Sequence, residues 1–351
     1  MTSWKTHVQD PRRVRAIHVR DQIETGIEEF FRSQGFQKVR TPLLVRSPGM
    51  EPHIRPFRVT SSGQPMNSDS PFLQTSPEFA MKKLLVGGLK RIFQISPAFR
   101  SEPPSVTHHP EFTLLEWYRA EAGYLDIMND TENLFASLAQ KLFGREELTY
   151  QGRKISVKTP WPRLSVRELF REHTGVELVQ DGKARDLTGD CRRLGLQTDA
   201  SDTWDDLYFK IWLNLIEPKL PADRAVFVTR YPASQAALSV IDKDPDGSEW
   251  AKRFEVYAGG LELGNAFEEL TDASEQRRRF EKDMDLRTEI YGESFPKNPI
   301  DEEFIGALEQ GLPPSGGIAM GVDRMVMLYA DEPEIDRTLW LPSYAGGVTQ
   351  H

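Results

Sequence analysis

Carboxylates, arginines and glycines recur in this chain in three stretches where their spacing permits chemistry. The first, RSEPPSVTHHPEFTLLEWYR from Arg100 to Arg119, holds an Arg-x-Glu pair, two adjacent histidines (His108 and His109), a Pro-Glu-Phe turn and then a strand-like run. Side chains on a strand repeat every two residues, so Phe112, Leu114, Glu116 and Tyr118 share one face. A half-buried strand does not ordinarily place a glutamate in the middle of its apolar face. Glu116 therefore needs a cation, either an arginine of the protein or an amine of a ligand. Arg100 and Glu102 share a face in the same way on the strand inferred before the loop, and the two strands together describe the floor of a polar pocket. A hairpin held by structural ion pairs is the alternative these residues alone leave open.

The second stretch, RFEVYAGGLELGNAFEEL, spaces Glu255, Glu262 and Glu269 seven residues apart. On a helix that would be a solvated stripe, but Gly259-Gly260 and Gly264-Asn265 interrupt any helix. A hairpin closing on the Gly-Gly turn returns the acids to one site, where a hard cation such as Mg²⁺ takes one or two carboxylates plus substrate phosphates. Exposed strand acids are the plain alternative. In the third stretch, GLPPSGGIAMGVDRMVMLYADEP, Gly316, Gly317 and Gly321 precede an apolar helix opened by Asp323-Arg324. Glycines there allow close backbone approach by a ligand, and a helix start favours anions. Arg324 in the first turn opposes the helix dipole and is better explained by a phosphate.

The elements that must position these groups follow from periodicity. Residues 12–34 are predicted as an amphipathic helix, with Ala16, Val19, Ile23, Ile27, Phe30 and Phe31 at helical spacing and Gly35 as its stop. A short strand punctuated by Pro42 follows, then polar strands and loops over 50–71. Ser76 can cap a helix that has Pro77 at its first position and ends at Gly87-Gly88. Glu78 in that first turn would ordinarily do no more than satisfy the helix dipole. RIFQISPAFR is a strand that delivers Arg100, and a further helix is expected from Leu125 to Phe143. Residues 144–225 are read as a small helical insertion, with helices in SVRELFREHTG and in WDDLYFKIWLNLIEPKL as far as Pro218. A charged helix over TDASEQRRRFEKDMDLRTEIYG carries Arg277, Arg278 and Arg279, most simply as surface residues.

The bulk properties narrow the class. A chain of 351 residues that is 38% hydrophobic and 28% charged can bury a sizeable core. The single cysteine, Cys191, excludes an intrachain disulfide and a cysteine-based zinc site. The first residues lack the apolar run of a signal peptide, and no stretch is apolar for long enough to span a membrane, so a cytoplasmic protein is expected. A net charge of -9 argues mildly against nucleic acid as the main partner.

In order, the motifs are a Thr-Pro strand after a long helix, Arg100-x-Glu102, His108-x-Pro-Glu-Phe112 with Glu116 and Tyr118 beyond, Glu262-x-Gly-Asn265-x-Phe-x-Glu269-Leu, and Gly321-x-Asp323-Arg324. This order resembles the catalytic domain of class II aminoacyl-tRNA synthetases of the lysine-specific kind, from about residue 12 to 342. More narrowly it resembles the truncated paralogues that ligate (R)-β-lysine to elongation factor P, also in TSPEFAMKKLL, FRSE, LEWYR and RYPASQAALS. Lysyl-tRNA synthetases carry an anticodon-reading barrel before the first motif, and only about ten residues stand there in this chain. The expectation is one catalytic domain over 1–351 with no anticodon-binding domain and no tRNA partner. Ala319 stands where lysyl-tRNA synthetases usually have glycine, and its methyl group would reshape the amino-acid pocket. His109 replaces a common asparagine beside ATP, and Pro103-Pro104 replaces a more usual acidic or glycine start to the loop.

The resemblance implies an α+β fold, an antiparallel sheet of about six strands flanked by helices, dimeric through the first helix and the Pro42 strand. It implies that ATP and Mg²⁺ activate (R)-β-lysine or lysine as an adenylate, which then acylates a lysine of elongation factor P. Arg100 would hold the α-phosphate, and Arg324 the γ-phosphate and one face of adenine. Phe112 would stack on the other face, and Glu102 would accept from the adenine amino group. His108, His109, Leu263 and Gly321 would complete the nucleotide site, and Glu255 and Glu262 would bind Mg²⁺. Ser76 and Glu78 would take the amine nearer the carboxylate, Glu116, Tyr118 and Glu269 the distal ammonium, Asn265 the carboxylate end, and Ala319 the floor. Rival readings are a minimal lysyl-tRNA synthetase and a non-catalytic lysine-binding paralogue.

Overall fold

The computed structural model of the protein describes residues 4–60, 70–180, 183–292 and 298–341. The polar stretch expected as strands and loops over 50–71 lies partly outside these residues, at 61–69.

Apolar alternation along the chain produces one large sheet. Its strands are β1 (Gln37–Lys38), β2 (Arg91–Phe99), β3 (Glu111–Ala120), β4 (Arg163–Ser165), β5 (Val226–Pro232), β6 (Ile241–Lys243), β7 (Glu249–Ala258), β8 (Leu261–Glu268) and β9 (Ser315–Gly321). The order across the sheet is β1-β2-β3-β9-β8-β7-β5-β4, with β6 also pairing to β7. The six strands from β2 to β5 in that order pair antiparallel, and β1 and β4 extend the edges in parallel. The expected sheet of about six strands is thus its long antiparallel centre, and the short edge strands were too brief to read from alternation.

The main helices are α1 (Pro11–Ser33), α2 (Glu78–Val86), α3 (Tyr124–Phe143), α4 (Val166–Thr174), α5 (Trp204–Ile211), α6 (Ala273–Tyr291), α7 (Glu302–Gly311) and α8 (Val322–Ala330). No helix among the described residues is long and apolar enough to cross a membrane. The Asp10 carboxylate caps α1 by accepting from the Arg12 N–H, with Pro11 in the first turn. Helices α1, α3 and α8 cover one face of the sheet. There Phe31 stacks on Phe93 at 5.0 Å and meets Trp117 at the same separation. Each such buried ring contributes roughly 2–3 kcal/mol by leaving water. Helices α2, α6 and α7 flank the other face with a smaller core in which Phe79 and Phe304 stack at 4.6 Å. Strand β3 separates the two, since Leu115 and Trp117 enter the first core while Tyr118 enters the second.

The stretch 144–225 is more than a helical insertion. It contains α4, α5 and a short helix at Thr188–Arg193, but also a hairpin of Glu147–Tyr150 with Arg153–Ser156 and the edge strand β4. Beyond α5 the backbone continues as a π-turn over Trp212–Ile216 and a 3₁₀ turn over Glu217–Lys219. A third core, built around Phe170, Tyr208 and Trp212, ties this stretch to Val226 and Val228 of β5.

Candidate active site

Register across the sheet assembles the site. Gln94, Glu116, Ala319, Asn265 and Glu255 lie directly opposite one another on β2, β3, β9, β8 and β7. Residues opposed in this way point to the same side, so one row of side chains floors a cleft from a buried glutamate at one end to a second at the other. The next row runs Ile92, Tyr118, Gly317, Phe267 and Arg253. Gly317 is required there because a Cβ would overlap the Tyr118 ring and the Glu269 carboxyl. The hairpin between β7 and β8 turns at Gly259 and Gly260, with φ of 61° and 81°.

A register shift between Val256 and Tyr257 pairs Tyr257 with Glu262, leaving Leu263 as the extra residue of a bulge. Without it Glu262 would face away from Glu255; with it the two acids share the cleft side. The Leu263 side chain goes to the opposite, main core, so of the expected nucleotide residues it offers the cleft its backbone.

The cleft encloses about 470 Å³. Ser76, Glu78, Arg100, Glu102, His108, His109 and Phe112 line it from α2 and the 100–112 segment. Glu262, Leu263, Asn265, Ala319, Gly321 and Arg324 line it from β8, β9 and the start of α8. Glu116, Tyr118, Glu269 and Glu255 lie just behind this lining. Arg100 and Glu102 do not sit on a strand, as their spacing suggested, because β2 ends at Phe99; both belong to the loop after it.

At the acidic end Glu116 is fully buried and accepts from the Ser76 hydroxyl at 2.7 Å and from the Tyr118 hydroxyl at 3.0 Å. Burial, then the charge of Glu78, pushes the Glu116 carboxyl up to about 8, against the two hydrogen bonds that lower it. Glu269 is pushed up to about 8 as well, by burial, with Lys82 opposing. Lys82 is the cation that the sequence reading missed. Its ammonium, 1% exposed, lies 2.5 Å from Glu78 Oε1 and 2.5 Å from Glu269 Oε2. Burial alone would lower it, but the two carboxylates outweigh that and hold it above the usual lysine value. Its position four residues after Glu78 on a helix was the available signal. Lys82 does not pair with Glu116. The three glutamates exceed the one ammonium, so the pocket retains acceptor capacity for a further cation.

At the opposite end Arg100 rests over the Phe112 ring at 5.1 Å, and its buried Nε has no hydrogen-bond partner among the described residues. Arg324 sits in the first turn of α8 and is held by main chain. Its Nη1 donates to the Glu262 carbonyl at 2.7 Å and its Nε to the Thr107 carbonyl at 3.3 Å. Its Nη2 lies 2.8 Å from His108 Nε2. Burial and the adjacent guanidinium lower the His108 pKa, so a neutral ring accepts from Arg324. His109 is buried with Nδ1 2.6 Å from the Glu111 carbonyl, which makes it a support of the loop. Asp323 anchors the start of α8, accepting from the Thr113 N–H at 2.6 Å and from Arg20.

Glu255 accepts from the Tyr231 and Tyr257 hydroxyls at 2.6 and 2.9 Å and pairs with Arg253 at 2.5 Å. Arg253, also unforeseen, further donates to Asn265 Oδ1 at 3.0 Å and to the Gln235 carbonyl at 2.9 Å. Like Arg100 and Glu102, Arg253 and Glu255 are two residues apart, and that spacing was legible. Glu262 stands exposed at the rim, yet the cleft walls displace water around it; this desolvation and the charge of Glu255 raise its carboxyl to about 7. Two neighbouring carboxylates on one side of the cleft suit a divalent cation. Among the described residues no group of three or more His, Cys, Asp or Glu gathers for a metal, so an ion here would take the remaining ligands from a phosphate substrate, as Mg²⁺ does.

Residues 5–345 match the family described as tRNA synthetases class II (D, K and N). The chain belongs to this family. Among its relatives within the class II synthetases are the lysine–tRNA ligases of Pelotomaculum thermopropionicum, 34% identical over 341 residues, of Chromohalobacter salexigens, 34% over 348, and of Coxiella burnetii, 35% over 329. These alignments cover 95%, 96% and 93% of this chain and 64%, 65% and 64% of the relatives. The chain therefore spans slightly less than two thirds of the length of the curated relatives it matches. Family membership accords with the α+β fold built around a large sheet.

Proposed function

We propose that the protein activates a diamino acid, (R)-β-lysine or lysine, as an adenylate and passes the acyl group to a lysine side chain of elongation factor P. The observation that carries this reading is the charge order of the cleft. Three glutamates around Lys82 occupy one end, and Arg100, Arg253 and Arg324 stand toward the other, joined by the Glu116–Ala319–Asn265–Glu255 row. A substrate with two ammonium groups and a carboxylate, meeting a triphosphate, has the complementary order.

In this reading Glu116, Tyr118 and Glu269 take the distal ammonium, whose charge relieves their mutual repulsion. Ser76 and Glu78 take the other amine, and Asn265 orients the carboxylate. A carboxylate oxygen then attacks the α-phosphorus in line as the bond to pyrophosphate breaks. Arg100 and Arg324 neutralise the phosphates, and catalysis rests on alignment and charge. Phe112 and Arg324 enclose the adenine, Glu102 accepts from its amino group, and His108, His109 and the backbone at Leu263 and Gly321 shape the rest of the nucleotide site. Glu255 and Glu262 would hold Mg²⁺, which supplies charge stabilisation at the departing pyrophosphate. The Ala319 methyl, on the floor between Glu116 and Asn265, supports a β-amino acid by filling space that glycine would leave. The net charge of -9 supports a protein acceptor over RNA. A cytoplasmic homodimer belongs to the same proposal.

A second reading, lysyl-tRNA synthesis, is favoured by the names of the relatives. One experiment separates the two. The protein is given ATP, Mg²⁺ and labelled (R)-β-lysine or lysine together with elongation factor P and total tRNA. Label on the factor, lost when its acceptor lysine is replaced, supports the proposal. Label on tRNA supports the second reading, and no pyrophosphate exchange with either amino acid leaves a binding protein.

A further inference from the structure

The wall of the cleft away from the sheet is built by elements that neither the nucleotide nor the amino-acid pocket uses. Asp205 and Phe209 reach it from α5, Gln235 from the 3₁₀ turn after β5, and Asp283 and Leu286 from α6. Gln235 is 8% exposed, and its buried Oε1 has no hydrogen-bond partner among the described residues, although its amide nitrogen lies 3.4 Å from Asp205 Oδ1. A buried carbonyl oxygen left without a donor costs free energy until a donor arrives. Asp205 and Asp283 are partly buried, and among the described residues neither makes an ion pair. Lys282 shares the rim and its charge acts on both aspartates without a salt-bridge contact to either, and Arg279, which also acts on Asp283 by charge, is committed to Glu275 and to the carbonyls of Ala237 and Ser239. Phe209, 41% exposed, and Leu286 add apolar surface to the same wall.

An apolar wall beside two unpaired carboxylates and an unsatisfied carbonyl matches one kind of group, a primary ammonium on an aliphatic stem. We propose that Asp205, Gln235 and Asp283 form the subsite that receives the acceptor lysine side chain in the transfer step, with Phe209 and Leu286 against its methylenes. This rests on the function proposed above and adds the place where the second substrate docks. The Gln235 main-chain carbonyl, distinct from its unsatisfied side-chain Oε1, accepts from Arg253, which also holds Asn265 and Glu255, so the subsite is braced against the floor where the acyl carbon would lie. In the step itself the ammonium gives a proton to Asp283. The free amine attacks the acyl carbon, the C–N bond forms, the C–O bond to the phosphate breaks, and AMP leaves with that electron pair, its departing phosphate oxygen taking the second proton that the nitrogen sheds as the amide forms. Partial burial and the charge of Glu51 raise the Asp283 carboxyl to about 7, which suits it to hold that proton near neutrality. Acids on this wall also disfavour a polyanionic RNA end.

The test separates the two half-reactions in Asp205→Asn, Asp283→Asn and Asp283→Glu. Pyrophosphate exchange reports adenylate formation, hydroxylamine capture reports an adenylate open to an acceptor that needs no subsite, and single-turnover labelling of elongation factor P reports transfer. The expected result is unchanged exchange and hydroxylamine capture, with transfer slowed roughly ten-fold or more in the asparagine variants through a higher KM for the factor and partly restored in Asp283→Glu. Transfer that is unchanged, or that falls only in step with exchange, overturns the subsite while leaving the proposed function standing. Wild-type protein that exchanges pyrophosphate but labels tRNA, and neither the factor nor N-α-acetyl-lysine methylamide, overturns the proposed function and the subsite with it.

Discussion

Glu116→Gln isolates the electrostatic tension at the floor of the pocket. The Glu116 carboxyl sits at about 8 in the folded protein against an ordinary value of 4.5, because it is buried and faces the charge of Glu78. A carboxyl whose folded value is the higher binds more protons in the native state than in the unfolded chain at every pH between the two values. Wild-type stability therefore falls as pH climbs from about 4.5 to about 8, and this group adds no slope outside that window. At about 1.4 kcal/mol per unit, the loss across the window is on the order of 5 kcal/mol, an upper figure because water entering the cleft relaxes the field. Glutamine keeps the shape and an acceptor for Ser76 but has no proton to lose. Urea unfolding of both proteins at about pH 5.5 and 8.5 should show the difference in stability moving toward the variant by about 2–4 kcal/mol. Glu269, also raised to about 8, titrates in both proteins and drops out of the difference. In pyrophosphate exchange the variant should show a KM for the amino acid raised roughly 100-fold, with the KM for ATP little changed. A stability difference that is the same at both pH values refutes the burial argument, and an unchanged amino-acid KM refutes the role given to Glu116.

Lys82→Met leaves Glu78 and Glu269 buried without their cation and should cost about 3–5 kcal/mol; melting with and without saturating lysine should show part of that loss recovered as the substrate ammonium enters. Gly317→Ala drives a methyl group into the Tyr118 ring and the Glu269 carboxyl, and it should lower stability by about 1–3 kcal/mol and raise the amino-acid KM, read by melting and by exchange kinetics. Chelation of Mg²⁺ should abolish exchange, and Glu262→Gln should raise the Mg²⁺ concentration that restores it by about ten-fold, since one of two carboxylate ligands is gone; equal Mg²⁺ curves for wild type and variant would remove Glu262 from the metal site.

Much of this protein was legible in one dimension because its determinants are local. The two-residue repeat from Phe112 to Tyr118 put Phe112, Leu114, Glu116 and Tyr118 on one face of their strand, opposite Trp117, which the structure buries in the main core. The Gly259-Gly260 pair announced the hairpin, and helical spacing marked α1 and α3 to within a residue or two. The placement of Arg324 in a first helical turn was also readable, since glycines and an apolar period precede and follow it. Other features depended on distant partners. That Glu262 joins Glu255 on one side rests on a bulge at Leu263, which periodicity along a single strand does not encode. Glu116, Ala319, Asn265 and Glu255 form one row because β3, β9, β8 and β7 happen to be neighbours in that register, although Glu116 and Ala319 lie 203 residues apart in the chain. The sequence led to the expectation of a cation at Glu116, but the packing of α2 against the sheet sets Lys82 between Glu78 and Glu269 and leaves Glu116 to two hydroxyls. Composition and spacing determined which residue types must leave water and on which face of their own element they stand. Only the tertiary structure decided which faces meet, because burial and charge pairing depend on distances between elements that no local repeat contains.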